Sequence, residues 1–430
     1  MKKIVAPVED LRLFTLERRL LATSLVNLFL TACLGVLLRS YPFIEGLPFT
    51  YKNVLHGHSH FAFGGWIMPA CLLLLMKFFP EIRNSIAYRH WKNIALLLLF
   101  SAYGMLLSFP FQGYKPFSIF FSTLSVAASY YLLFVTWPLL KGRTASQRFL
   151  KAGLLYLAVS VIGPFATGPL IAMGKQGSPV YYNAVYFYLH FQINGWFTFF
   201  VLALLYRWME LRGLRNTNPK SFKPFHFACM PAYLLSVLWN SPGLLFNIVG
   251  ATAALLQLLA LLYLLSDLKR FEQPALLKLA LAAFVLKLVL QLGSAVPFIA
   301  QMGYEHRNLI IAYLHLTLLG SITLFLFHFL SEGFALGGRS MRAGLVLFLF
   351  SLVSTELLLL LYALGGMFGF AFPGYNQMML AFSLLFPAGI LPITLSAQRA
   401  SRKKAQPNET LFIPGQFNRT FFPRNNDHHR

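Results

Sequence analysis

Long apolar runs separated by short polar turns run through nearly the whole chain. They fall at approximately 19–38, 54–77, 93–112, 117–140, 150–173, 183–206, 225–240, 243–265, 275–299, 308–330, 343–364 and 376–396. A helix needs about 20 apolar residues to cross a bilayer, and most of these runs supply them. With 57% apolar and only 11% charged residues in 430, the chain has no composition left for a sizeable soluble domain. The expected fold class is an all-α membrane protein of about twelve transmembrane helices. One domain is expected over 1–400, followed by a basic, disordered cytoplasmic tail at 401–430. The run at 225–240 is the weakest, being short and carrying Pro231. The tetrapeptide Asn240-Ser241-Pro242-Gly243 separates it from the next, and that is good turn chemistry.

The net charge is +23, which in a soluble protein would point to nucleic acid. Its distribution excludes that reading here. Of the 36 Lys and Arg, 30 fall in, or within four residues of, the two tails and the loops after the second, fourth, sixth, eighth and tenth runs. Arg39, Lys52, Lys115, Lys175 and Arg307 lie in the alternate loops, and Lys287 lies inside a run. The positive-inside rule then predicts both termini in the cytoplasm, in the inner membrane if the source is bacterial. Anionic lipid is the partner of the charge. No cleavable signal peptide is evident. Cys33, Cys71 and Cys229 form no CxxC or CxxCH pair and read as packing residues. His428 and His429 lie in the tail and could chelate metal only weakly.

Ionisable groups inside a bilayer are costly and mark function. His56, His58 and His60 open the second run, His190 lies early in the sixth, and His315 lies early in the tenth. His60, His190 and His315 each fall six or seven residues in, roughly 10 Å deep at the helical rise. Each begins the same local pattern of His, an apolar residue, three residues and then Gly: His60 to Gly65, His190 to Gly195, His315 to Gly320. The second, sixth and tenth runs are each second in a block of four. Three four-helix blocks in pseudo-threefold arrangement are therefore expected, with the repeated glycine admitting a helix or a flat cofactor. Any single intramembrane His can also be plain helix–helix hydrogen bonding.

The stretches Leu55-His56-Gly57-His58-Ser59-His60-Phe61-Ala62-Phe63-Gly64-Gly65, Tyr186-Phe187-Tyr188-Leu189-His190 and Tyr313-Leu314-His315 resemble the second, sixth and tenth helices of subunit I of the heme–copper oxidases, the superfamily of cytochrome oxidases and membrane nitric oxide reductases. The resemblance covers the span plan of the whole chain, with residue motifs on three helices. It implies a low-spin haem, b-type, between a second-run histidine and His315. His60 is favoured as that ligand by the internal repeat, and His58 by its offset to Met68-Pro69. It implies a copper ligand at His190, to which His56 could add a second. The departures are specific. Tyr313 stands where the family has the high-spin haem ligand. The adjacent histidine pair of the seventh helix is missing, with only His226 near the start of that run. Asn194 stands four residues after His190, where some members have Tyr. The low-spin pair is preserved and the binuclear centre is incomplete.

The resemblance thus implies electron transfer or gas chemistry with oxygen or nitric oxide, with partner oxidase or electron-donor subunits; the missing ligands disfavour oxygen reduction coupled to proton pumping. No quinone or cytochrome c docking feature is legible in the sequence. The alternative is a copper-handling or transport protein with a histidine site at the outer face. Lys287 and Glu356 share the mid-bilayer level and read as a buried ion pair or a proton relay element. Gln257, Gln291 and Gln301 read as helix–helix glue, His328 as an interhelical or surface residue, and His90 and His306 as loop residues.

Overall fold

The computed structural model describes residues 7–402; the tail from 403 onward, with His428 and His429, lies outside the described residues. The chain is all-helical there. Eleven helices are long and apolar enough to cross a membrane. Numbered by traverse, they are α1 (Pro7–Ser40), α2 (Tyr51–Phe78), α3 (Tyr88–Gln112), α4 (Pro116–Leu139), α5 (Ala145–Ala172) and α6 (Pro179–Leu211). After α7 come α8 (Leu244–Leu268), α9 (Ala275–Gly293), α10 (Arg307–Gly333), α11 (Arg339–Phe368) and α12 (Tyr375–Arg402).

The exception is α7. It is an α-helix over Phe222–Cys229, continued by a 3-10 helix over Pro231–Asn240. Pro231 has no N–H to continue the α-helical ladder. The tighter 3-10 winding rises about 2.0 Å per residue, so the whole element reaches roughly 32 Å, close to a bilayer core. The Tyr206 hydroxyl near the end of α6 donates to Asp267 at the end of α8 across 3.0 Å. Helices α6 and α8 therefore finish at the same end of the bundle, and α7 carries the chain back between them. Ser241 in the left-handed region (φ 52°) and Gly243 (φ 112°) make the turn to α8.

Charged contacts tie the helix ends together where the basic loops lie. Arg83 binds Asp10 at 2.7 Å and Glu17 at 2.6 Å, and Arg207 binds Glu81 at 2.9 Å. Arg212 pairs with Glu332 and lies over the Trp208 ring. Glu210 accepts from the Ser146 backbone and hydroxyl at 2.9 and 2.7 Å. The starts of α1 and α5 and the ends of α2, α6 and α10 thus share one end, called the basic end below.

Helices α2, α6 and α10 meet in the middle. Trp66 Nε1 donates to Thr323 Oγ1 at 3.1 Å, and Trp196 Nε1 donates to Met68 Sδ at 3.0 Å. Phe78 packs edge-on against Phe329. Toward the basic end these three helices are almost wholly buried over 68–78, 198–209 and 324–330. Helix α12 packs against α11 and against α1. Phe100, Leu107, Phe111, Leu262, Val346 and Phe368 point outward and are more than half exposed. Apolar faces of this extent suit lipid, and the fold is that of an integral membrane protein.

The ninth run was expected to continue to 299. It stops at Gly293, and a separate short helix, Pro297–Glu305, follows. Pro297 is accommodated in the first turn of a new helix and not in the interior of an old one.

Candidate functional site

Each central helix changes winding just after its histidine. A π-helical segment occupies Ala62–Ile67 in α2, Phe191–Phe197 in α6 and Leu316–Thr323 in α10. Such segments are rare and gather at functional sites. In α2, Pro69 brings no N–H to the Gly65 carbonyl. Asn27 of α1 supplies the missing donor, Nδ2 to Gly65 O at 2.7 Å. Of the repeated glycines, Gly195 admits a neighbouring helix, whereas Gly65 makes room for a ring of its own helix. A β-carbon on Gly195 would lie 2.5 Å from Tyr156 Cβ of α5, and one on Gly65 would lie 2.7 Å from the Phe61 ring.

The three histidines of α2 divide as helical pitch requires. His56 and His60 share one face. His60 is stacked on Phe109, with ring centroids 4.4 Å apart, and its Nε2 shares a 2.7 Å hydrogen bond with the Tyr114 hydroxyl. His56 meets the same Tyr114 ring edge-on at 4.8 Å. His58 turns the other way, toward α1. Its Nδ1 donates to the carbonyl of Thr31 across 3.1 Å. Its ring lies against Gly35, 3.4 Å from where a β-carbon would sit. A proton held on Nδ1 leaves the Nε2 lone pair outward, the tautomer a metal ligand needs.

His315 lies within electrostatic range of His58, and Arg39 of α1 within range of both His58 and Glu356. His315 Nδ1 stands 3.4 Å from Glu356 Oε1 of α11. Neither atom has a hydrogen-bond partner among the described residues. Around this pair the packing opens. The α2 face made by Leu55, His58, Ser59 and Ala62 is half-buried or exposed, as are Tyr188 and Leu189 of α6 and all of 311–316 in α10. Ser59 is exposed, on the half of α2 away from the basic end.

His190 is buried and fully engaged. Its Nε2 donates to the Cys229 carbonyl at 2.8 Å, and its Nδ1 accepts from Asn194 Nδ2 at 3.2 Å. The cause lies in α7. Tyr233 N bonds Met230 O, as 3-10 winding requires, and so does not reach Cys229 O, its α-helical acceptor. His190 caps the carbonyl left over. His56 and His190 therefore have separate partners. No three His, Cys, Asp or Glu side chains group as a metal site among the described residues.

Lys287 and Glu356 are not brought together. Lys287 is 2% exposed, and its Nζ donates to Gln291 Oε1 at 2.7 Å, while Gln291 Nε2 donates to Gln257 Oε1 at 2.8 Å. The Lys287 face of α9 turns to α8, while Glu356 turns to α10. Gln301 sits on the short helix and binds Glu305 at 2.7 Å. His226 bonds the Tyr156 hydroxyl at 2.9 Å, and His328 lies 3.4 Å from Glu332 at the basic end. His90 bonds the Tyr131 hydroxyl at 2.7 Å, and the Gly366 backbone lies close to His306.

Three participants escaped sequence reasoning. Thr31 acts through its backbone, Gly35 through its lack of a side chain, and Arg39 reads in sequence only as a loop charge. Comparison of the sequence with protein-family models finds no match, and none is found among curated proteins.

Proposed function

We propose that this chain is a membrane haem protein of the heme–copper oxidase subunit I type, holding one low-spin b-type haem between His58 and His315. The observation that carries the reading is the His58 arrangement: Nδ1 fixed on the Thr31 carbonyl at 3.1 Å, with His315 in electrostatic range. Bound there, a haem would be held by His58 and His315 and would supply single-electron chemistry at a potential its ligands and burial set. The protein's own part is to fix the ring of His58, to set Glu356 beside His315, and to close the basic end of the central helices with tight apolar and aromatic packing. Arg39 supplies positive charge for an anionic group on the ligand.

The matched π segments after His60, His190 and His315 support three four-helix blocks about a pseudo-threefold axis. The loop charges support cytoplasmic termini, in the inner membrane if the source is bacterial. The role is electron transfer or gas chemistry with oxygen or nitric oxide, served by electron-donor or oxidase partner subunits. Copper does not fit the residues present: His190 has no free ring nitrogen, and His56 faces Tyr114. The same contacts weigh against a copper-transport reading.

The test is a dithionite-reduced minus oxidised absorption spectrum of the purified protein, with haem and copper counted per chain. Sharp reduced bands, one haem per chain and no stoichiometric copper are expected. A colourless protein made with ample haem supply would overturn the reading. Carbon monoxide added to the reduced protein separates the two roles: unshifted bands are expected for electron transfer with both histidines engaged, and shifted bands for gas chemistry.

A further inference from the structure

With His58 turned toward α1, His56 and His60 are left together on the opposite face of α2. Side chains four residues apart on a helix are neighbours, with Cβ atoms about 5–6 Å from each other. Two histidines at that spacing are how a helix offers both imidazoles to one zinc ion. A third donor stands beside them. Tyr114, in the turn between α3 and α4, has its hydroxyl 2.7 Å from His60 Nε2. Its ring meets both histidines edge-on, with centroids 4.8 Å from His56 and 5.8 Å from His60.

The turn is built to keep Tyr114 there. Gly113 sits at φ 63°, and a β-carbon on it would lie 2.6 Å from Asn53 Oδ1. Asn53 precedes His56 by one turn of α2, so only glycine lets the turn press this closely on the histidine face. On its far side the turn is closed by Ser118, whose hydroxyl accepts from the Lys115 N–H at 3.0 Å. Phe109 stacks on His60 at 4.4 Å with the rings 7° from parallel, which fixes the plane of that imidazole. His56 is half-buried and makes no hydrogen bond among the described residues. Tyr114 is 51% exposed, so the cluster is reached from outside, at the end of the bundle away from the basic end.

Zinc takes imidazole nitrogen and carboxylate or phenol-type oxygen at about 2.0–2.2 Å, and its open sites use three protein ligands and a water. At those bond lengths two ligand atoms of a tetrahedral ion stand roughly 3.3 Å apart. The Tyr114 hydroxyl therefore has to withdraw from His60 by roughly 0.6 Å on that figure, a small movement for an exposed side chain. The ion would replace the hydroxyl proton, which passes to water. No three His, Cys, Asp or Glu side chains group among the described residues; here a phenol supplies the third donor. Lys52 lies within electrostatic range of His56 and no carboxylate belongs to the set, so the ion is held loosely enough to exchange. We propose that His56, His60 and Tyr114 form an exchangeable zinc site on the face of α2 opposite His58, with water as the fourth ligand. None of its atoms belongs to the His58–His315 pair, so it is independent of the haem reading.

The experiment is calorimetric titration of the full chain, washed with chelator and held in lipid nanodiscs, with Zn²⁺ alone; haem is counted separately on the same sample. Saturable binding at one site per chain is expected. His56→Ala and His60→Ala should each weaken it at least about a hundredfold, the upper end of what loss of an outer-shell partner costs a metal site. Tyr114→Phe keeps the ring, lets water take the oxygen's place and should cost about tenfold. Replacing His428 and His429 of the tail together with Ala should change nothing. Zn²⁺ should raise the thermal midpoint of the parent and not of His56→Ala; His56→Ala breaks no hydrogen bond, so this comparison holds even where His60→Ala folds poorly. No saturable binding, or binding that survives both His56→Ala and His60→Ala, would overturn the proposal. Loss of zinc binding with the tail histidines would overturn it too, as would loss of haem in His60→Ala. A colourless chain that binds zinc through these residues would remove the haem reading and leave this site, and a haem-loaded chain that binds no zinc would do the reverse.

Discussion

His190 caps the carbonyl of Cys229, Nε2 to oxygen at 2.8 Å, at the point where α7 changes from α to 3-10 winding. The bond joins α6 to α7 where α7 lacks its own donor. Replacing His190 with Ala strands a buried carbonyl and the Asn194 amide, so destabilisation of about 1–3 kcal/mol is expected. Thermal unfolding in detergent, followed by tryptophan fluorescence, reads it. Haem content should not change. A loss of bound copper in this variant, with stability intact, would return His190 to the role of metal ligand.

The α2 histidines separate by face, and their variants should separate by phenotype. On the proposed assignment His58→Ala and His315→Ala each remove a haem ligand and are expected to abolish haem retention. His60→Ala should keep the haem and lose about 1 kcal/mol with the Tyr114 hydrogen bond. Pyridine haemochrome assays on the three purified variants measure this directly. Haem loss in His60→Ala but not in His58→Ala would assign the site to the other face of α2.

The plan of the bundle was legible because apolar run length and loop charge are direct consequences of the bilayer. Run length was weakest as a guide at α7, where 3-10 winding lets fewer residues make the distance. Neither run length nor loop charge could reveal the π segments, which do not announce themselves in periodicity; the repeated His-to-Gly spacing was their only trace. Three histidines at alternate positions of α2 were visible, but the choice among them was not. That choice depends on a carbonyl of Thr31 and the bare backbone of Gly35, neither of which carries a side-chain signal. Lys287 and Glu356 share a depth in sequence, yet depth does not specify which neighbour a helix face meets.

Lys287 and Glu356 should behave independently. A buried ion pair couples strongly, and breaking one costs about 3–5 kcal/mol. Here Lys287 binds Gln291 while Glu356 stands beside His315. A double-mutant cycle of Lys287→Met and Glu356→Gln is expected to give a coupling energy within about 0.5 kcal/mol of zero. With a haem held there as proposed, and Glu356 ionised, Glu356→Gln alone would remove a negative charge next to the His315 imidazole. The haem midpoint potential should rise by on the order of 50 mV, near the shift for a tenfold change in a one-electron equilibrium. Redox titration of that variant checks the second part.

The glycines of the internal repeat make the sharpest comparison, because the same sequence position meets different neighbours. A β-carbon at Gly195 would stand 2.5 Å from Tyr156 Cβ, an atom next to the backbone that cannot swing aside. Gly195→Ala must push α5 from α6 and should cost at least about 1–3 kcal/mol, the usual range for overpacking. At Gly320 the nearest atoms are Ala283 Cβ and Leu316 Cδ1, both at 3.4 Å, which is ordinary contact. Gly320→Ala should therefore be tolerated within about 0.5 kcal/mol, and the better helix propensity of alanine works in its favour. Parallel thermal melts of the two variants decide the matter. Equal destabilisation would mean that the repeat glycines are needed for the π segments themselves, and not for the approach of α5.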